Sequence, residues 1–482
     1  MELVVGVDLA TAEVRAVAAD AAGRVHGQAR AVLPPPASPR PGWVEQDASA
    51  WWPASAAALR RLADGLGAAR RSVAAVAVCA TSGTVVAVDA RGAPLGPALT
   101  YADQRARGEA DEAQAAGADR WAALGLRVQP SFGLAKWGWM VRHGAVPAGT
   151  ARLAHASDVV VAGLVGGLVA TDWGSALKSG FDPRAGEWAG EALAALGVPD
   201  RLLPEVRAPA TLAGRVGDGA ARRTGLPAGC QVRLGTTDAC ASQLAAGAAA
   251  PGRYVSVLGT TLVLKGVSLD LVADPAGAVY CHRHPCGWWL PGGASSTGGA
   301  ALRAGFAGRD LAALDRAAAR RGPAAAVAYP LVGRGERFPF VAPDAEGFVV
   351  GDAGDEVGRY RAVLEGVAFV ERLGYERLAR LGAPATGPVS ASGSASASGA
   401  WNRIRATALG VPLVARPGAT TALGACILAA SGTLHGDVVA SAEAMAAGGE
   451  EVAPVDGEQE ALERSYRRFV AALEERGWLP RP

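Results

Sequence analysis

Apolar residues open the chain in two blocks. Leu3-Val4-Val5-Gly6-Val7 runs into Asp8, and a second run covers Val14 to Ala19 before the turn Ala21-Ala22-Gly23-Arg24. Two apolar runs of strand length joined by small residues predict a β-hairpin with Asp8 at its first tip. Further strands are expected over 73–79 and 85–89. Helices are expected over 48–64, 108–116 and 130–141. Strands alternating with helices point to an α/β architecture. The opening pattern returns half a chain later. Arg253 to Leu258 reads as a strand, Gly259-Thr260-Thr261 as a turn and Leu262 to Lys265 as a returning strand. Hairpins are common, so the repetition fits two unrelated ones as well as two related domains. The domain reading puts the boundary between Ala245 and Pro251, with one domain over 1–247 and the other over 248–482. The tail from Asp437 to Pro482 spaces Arg, Glu and Leu for an amphipathic helical surface.

A length of 482 residues exceeds what one core usually serves. With 50% hydrophobic and 19% charged residues, disorder is excluded. A formal net charge of +2 offers no global field to nucleic acid or an anionic membrane. The longest apolar run, Val159 to Ala170, falls short of the roughly 20 residues of a spanning helix. Met1 to Ala10 carries Glu2 and Asp8 and no basic stretch, unlike a signal peptide. Six cysteines in so large a chain do not make a disulfide scaffold. Cys79, Cys240 and Cys426 sit in apolar runs and read as small buried hydrophobes. A cytoplasmic location is expected.

Two carboxylates stand at turns suited to chemistry. Asp8 ends a strand just before Ala10 and Thr11, where a carboxylate can hold Mg²⁺ while amides and a hydroxyl meet phosphate oxygens. Capping the turn is its plainer role. Gly235-Thr236-Thr237-Asp238-Ala239 follows a strand and precedes a helix. There Asp238 is either a helix cap or a general base that takes a proton from a hydroxyl. The 47 basic residues include only three lysines, Lys136, Lys178 and Lys265, and no Walker A loop occurs. Bound phosphate would therefore rest on backbone amides and Mg²⁺, for which Gly259-Thr260-Thr261 and Gly292-Gly293-Ala294-Ser295 are suitable turns. Cys281-His282-Arg283-His284-Pro285-Cys286 crowds four ligand types into six positions, whereas zinc sites spread theirs over separated pairs, so a structural role is expected. Trp51-Trp52 and Trp288-Trp289 read as packing residues.

Taken in order, these pieces resemble the FGGY carbohydrate kinase family. The matching segments are Gly6-Val7-Asp8, Gly42-Trp43-Val44-Glu45-Gln46-Asp47 with Trp51-Trp52, Tyr101-Ala102-Asp103-Gln104-Arg105, Thr171-Asp172-Trp173, Gly235 to Ala239, Gly259-Thr260-Thr261 and Ala422-Leu423-Gly424-Ala425. Within the family the chain looks closest to the D-ribulokinase or plant and cyanobacterial xylulokinase-like branch. The segments that suggest this are Ala80-Thr81-Ser82-Gly83, Ala176 to Pro183, Gly293 to Gly299 and Gly335-Glu336-Arg337-Phe338-Pro339-Phe340. Common bacterial xylulokinases carry Gln-Met-His-Gly where Ala80 to Gly83 stand, so Ser82 replaces the histidine that touches their sugar. The family's Gly-Thr turn is Ala10-Thr11-Ala12-Glu13 here, and its Gly-Gly-Gly-Ala adenine segment is Gly393-Ser394-Ala395-Ser396.

The resemblance implies an α/β fold of two actin-like (ribonuclease H-like) ATPase domains facing each other across a catalytic cleft. It implies ATP and Mg²⁺ as cofactors, a small sugar as substrate and no nucleic-acid or membrane partner, and it allows a homodimer. The implied activity is ATP-dependent phosphorylation of a free ketopentose, D-ribulose first. D-xylulose, L-ribulose or another sugar or polyol, and a non-kinase nucleotide switch, are the alternatives. Asp238 is implied as catalytic base and Asp8 as metal ligand. Thr11, Gly259, Thr260, Thr261, Gly393, Ser394 and Ala395 would serve phosphate and nucleotide, and Ser82, Asp103 and Asp238 the sugar.

Overall fold

The opening hairpin forms as expected. Leu3–Leu9 (β1) pairs antiparallel with Glu13–Asp20 (β2), setting Asp8 opposite Arg15. A third strand, Val25–Val32 (β3), joins the free edge of β2. Its mostly exposed Val-His-Gly-Gln-Ala-Arg sequence hides it from a search for apolar runs. Val73–Ala80 (β4) lies parallel to β1, and Leu212–Arg215 (β5) and Gln231–Thr237 (β6) complete a six-stranded sheet in the order β5-β6-β4-β1-β2-β3. β1 and β4 are buried almost throughout, as a parallel pair covered on both faces requires. The helix Trp51–Leu66 packs on β2 and β3 through Leu59 and Leu62. Helices at Arg107–Ala116 and Gly133–Arg142 lie close to their expected places. Val85–Val88 is a strand, but it belongs to a separate four-stranded sheet.

The computed structural model describes residues 1–480, which divide into two compact units. The first holds Met1–Ala245 together with His282–Gly287 and Thr420–Ala446. The second holds Ala246–Cys281, Trp288–Ala419 and the chain from Ala447 onward. In the first unit the helix Thr421–Ala430 is buried at nearly every position and packs on β1 and on the helix Asp238–Ala245. Small residues allow this. A Cβ on Gly424 would stand 1.9 Å from the carbonyl oxygen of Ala241.

The second unit repeats the plan of the first. Tyr254–Leu258 (β7) pairs antiparallel with Leu262–Gly266 (β8), and β8 with Trp289–Ala294 (β9). Val389–Ser392 (β10) runs parallel to β7, and Leu413–Ala415 (β11) parallel to β10. The long helix Glu356–Arg380 carries much of the apolar core, including Val367, Phe369 and Val370. The expected helical tail is broken. Helices form at Val438–Met445 and Gln459–Glu475, but Glu450–Val452 (β12) pairs with β11. Gly448, Gly449 and Pro454 interrupt the helical pattern, and the open edge of β11 takes up the extended residues between. Among the described residues no helix is long and apolar enough to cross a membrane.

Candidate active site

In open α/β sheets, ligands bind outside the carboxyl ends of the strands. In the first unit three neighbouring parallel strands, β6, β4 and β1, end together. Asp8 is in register with Cys79, and Thr237 with Ala80. The sheet therefore gathers Asp8, the loop after Ala80 that carries Ser82, and the Thr237-Asp238 turn at one edge. Asp238 begins the helix Asp238–Ala245, with the Ala239 amide donating to its Oδ1 at 2.7 Å. Two hydroxyls in this neighbourhood, Ser82 Oγ and Thr237 Oγ1, are buried without a hydrogen-bond partner. Buried hydroxyls are normally paired, so these two are open to hydrogen bonds from a polar ligand.

Asp8 is 3% exposed. Burial pushes its carboxyl up to about 6, Arg15 opposes that, and the like charge of Asp238 adds to it. Arg15 Nη1 stands 3.1 Å from Asp8 Oδ2 and its Nε 2.8 Å from Glu13 Oε1. The charge of Glu13 at the first turn is thereby answered within the hairpin. The turn itself is braced by Gln46, whose Nε2 donates to the Thr11 carbonyl at 2.7 Å while its Oε1 accepts from Trp51. Among the described residues no three His, Cys, Asp or Glu side chains form a ready-made metal group. A divalent cation here would take one or two carboxylates and complete its shell with ligand oxygens, as Mg²⁺ does with phosphates. A desolvated carboxylate such as Asp8 suits that arrangement, because a cation offsets the cost of its burial.

Asp172 is a carboxylate whose chemistry the sequence left unassigned. It caps the helix Trp173–Leu177, and burial pushes its carboxyl up to about 6. Burial drives the Cys79 thiol well up, with Asp172, Asp8 and Asp238 adding to the rise, so three carboxylates surround one strand end. The Thr-Asp-Trp segment was the only signal in the sequence.

Lys136 is the second residue that sequence reasoning missed. It is fully buried, and its Nζ donates to the carbonyls of Gly83, Thr100 and Ser131 at 2.9, 2.5 and 2.8 Å. It thus ties the Ser82 loop to the loop of Asp103, and burial lowers its ammonium to about 7. Asp103, expected to touch the sugar, is 0% exposed. Its carboxylate accepts from the Val44 amide at 2.6 Å and from Arg105 through the amide, Nε and Nη2. Asp103 therefore holds Arg105, which also pairs with Glu45 and lies over the Trp43 ring.

In the second unit β7 and β10 end side by side, with Val257 in register with Ser392. This joins the Gly259-Thr260-Thr261 turn to Gly393-Ser394-Ala395. Gly393 has φ +84°, and a Cβ on it would meet the Leu258 carbonyl oxygen at 2.6 Å. Ser394–Ala397 form a 3₁₀ turn. Among the described residues only Ala210, of the non-glycines, has positive φ. Ser394 and Ala395 therefore meet no backbone strain where the family has glycines. Arg303 Nη2 donates to Thr260 Oγ1 at 2.9 Å, which puts a guanidinium beside the turn that lacks a lysine. Cys281 is buried, with its thiol against the Val272 carbonyl, and Cys286 is exposed.

Comparison with known proteins agrees with this fold. The model of the FGGY family of carbohydrate kinases, N-terminal domain, matches residues 3–245, and that of the C-terminal domain matches 255–433. A xylulose kinase of Streptomyces coelicolor is 35% identical over 296 residues, 60% of this chain and 59% of that relative. A glycerol kinase of Ralstonia pickettii is 27% identical over 462 residues, 90% of each chain. The crystal structure of xylulose kinase from Rhodospirillum rubrum superposes with a TM-score of 0.88 at 29% identity, covering 98% of this chain and 99% of that one. The chain belongs to the FGGY family of carbohydrate kinases and has its two-domain fold.

Proposed function

We propose that this protein phosphorylates the terminal hydroxyl of a free ketopentose at the expense of ATP. The reading rests on one observation above all: Asp8, Asp238 and two orphaned hydroxyls meet at the carboxyl ends of adjacent parallel strands. The first unit, which the helix Thr421–Ala430 also joins, supplies the sugar-side residues and the base, and the second supplies nucleotide contacts through Gly259-Thr260-Thr261 and Gly393-Ser394-Ala395. Asp238 takes the proton of the primary hydroxyl as its oxygen bonds to the γ-phosphorus. The bond from that phosphorus to the β-γ bridging oxygen breaks, and ADP leaves. Thr11 and the Thr260 and Thr261 amides stabilise charge on the transferring group, while the Gly259 amide closes the turn onto the Thr261 carbonyl. Such catalysis is positioning with electrostatic stabilisation. Asp8 would hold Mg²⁺, which when bound would supply charge neutralisation at the phosphate oxygens.

Asp8→Ala is expected to raise the Mg²⁺ concentration needed for half-maximal rate by roughly ten-fold or more and to lower turnover. A Mg²⁺ titration of the purified variant checks it, and an unchanged curve removes Asp8 from the metal site.

For the sugar we infer D-ribulose. Ser82 Oγ is a short, buried hydroxyl without a partner, standing where common xylulokinases extend a histidine. Both D-ribulose and D-xylulose offer a primary hydroxyl, and they differ at C3. A site matched to one epimer leaves polar groups unpaired against the other. The expected result is a higher kcat/KM for D-ribulose, lowered about ten-fold by Ser82→Ala through loss of one hydrogen bond. Xylulose kinases among the similar proteins favour D-xylulose as the second reading. A preference for D-xylulose decides for that reading, and a Ser82→Ala variant that is silent with both sugars removes the D-ribulose assignment while leaving the kinase reading.

A further inference from the structure

The Gly335-Glu336-Arg337-Phe338 segment has no part in the chemistry described above, yet it contains the most heavily bonded carboxylate of the second unit's glycine-rich region. Glu336 is 3% exposed. It accepts five hydrogen bonds: from Ser295 Oγ at 2.8 Å, the Ser296 amide at 2.6 Å, Thr297 Oγ1 at 3.1 Å, Tyr329 Oη at 2.9 Å and the Arg337 amide at 3.0 Å. Three of these donors lie on one loop, Ser295-Ser296-Thr297. Arg337 Nε donates at 2.9 Å to the carbonyl of Ala294, the last residue of β9 before that loop. The ring of Phe338 fills the space beside Gly293.

That loop in turn carries the Gly259-Thr260-Thr261 turn. The Leu262 amide donates to the Thr297 carbonyl at 2.8 Å and the Ser295 amide to the Leu262 carbonyl at 2.9 Å. The Gly299 amide donates to the Gly259 carbonyl at 2.9 Å and the Ala300 amide to the Thr260 carbonyl at 3.0 Å. The contact admits no side chain, since a Cβ on Gly298 would lie 2.5 Å from Thr261 Cα. The geometry points to Glu336 as a positioning residue for phosphoryl-donor binding: it fixes the Ser295–Thr297 loop, and the bonds that follow it to the Gly259 and Thr260 carbonyls fix the peptide units whose amides belong to Thr260 and Thr261, the Gly259 amide being taken by the Thr261 carbonyl. This rests on the reading of that turn as a phosphate contact. Amides can stabilise a phosphate only where their directions are held in advance, because reorganising them on binding costs the affinity they provide. A buried carboxylate facing donors alone is a rigid anchor for that purpose.

The test is Glu336→Gln in the full chain, with ADP binding read by calorimetry in Mg²⁺ and ketopentose binding read separately without nucleotide. The substituted side chain sets an NH₂ group against the hydroxyls of Ser295, Thr297 and Tyr329, which donate to a carboxylate oxygen in the wild type. The expected result is an ADP dissociation constant raised roughly ten-fold, with KM for ATP moving alike, while sugar affinity stays as in wild type. Tyr329→Phe, which removes one of the five donors to Glu336, is expected to raise it about two- to three-fold and serves if the first variant folds poorly. Unchanged ADP affinity in both variants, or equal losses of sugar and ADP affinity in both, overturns the inference. A wild-type protein that binds ADP but phosphorylates no ketopentose overturns the kinase reading while leaving this comparison intact. One that binds no ADP overturns both.

Discussion

Asp238→Asn is expected to lower the rate of sugar phosphorylation by on the order of 10²–10⁴-fold, the usual loss when a general base is removed. The amide keeps the shape of the side chain and its Oδ1, so the bond from the Ala239 amide survives. What it cannot do is accept the hydroxyl proton. ADP binding, which we assign to turns of the second unit, is expected to remain within about two-fold of wild type. Coupled ADP-release kinetics on D-ribulose and D-xylulose, beside calorimetric ADP titration, separate the two effects. Near-wild-type turnover would leave Asp238 as a helix-starting residue alone.

The second large effect is on stability. Arg405 and Glu371 are both 0% exposed and joined by two bonds, Nε to Oε2 at 2.6 Å and Nη2 to Oε1 at 2.9 Å. They lock the helix Gly399–Leu409 to the helix Glu356–Arg380. Arg405 Nη1 also donates to Asn402, whose Nδ2 holds the Ser396 carbonyl beside the proposed adenine segment. Removing one partner leaves an uncompensated buried charge. Glu371→Ala is therefore expected to cost about 3–5 kcal/mol and to lower the thermal transition of the second unit by on the order of 10 °C. The double variant Glu371→Leu/Arg405→Met, which buries no charge, is expected to recover most of that loss. Circular-dichroism melts of the three proteins decide. Equal destabilisation by the single and double variants would show that packing volume, not charge, governs the site.

Local signals in the sequence single out several of the candidate residues. Asp8 and Asp238 are legible because each ends an apolar strand at a turn of small residues, a pattern confined to a few neighbouring positions. Gly259-Thr260-Thr261 is legible for the same reason, as the tip of a hairpin. Lys136 was not, because its meaning lies in three carbonyls from separate loops. The resemblance implied Asp103 as a sugar contact, but Val44 and Arg105 occupy its carboxylate, and nothing near residue 103 in the sequence announces Val44 as a partner. Strand β3 escaped because its polar, partly exposed residues are held by pairing to β2 and not by burial of an apolar run.

By itself the sequence determined the α/β class, the two hairpins and the positions of the two carboxylates, since short-range alternation and turn chemistry decide such features. Tertiary structure alone decided the strand order that sets β6, β4 and β1 side by side and so brings Asp238, Ser82 and Asp8 to one edge. It alone decided that Thr421–Ala430 returns to the first unit and buries itself beneath that edge, against β1 and the helix of Asp238. A helix of small apolar residues can serve any core. Which core it joins depends on where its glycine meets a backbone that tolerates no Cβ, and for Gly424 that backbone is Ala241.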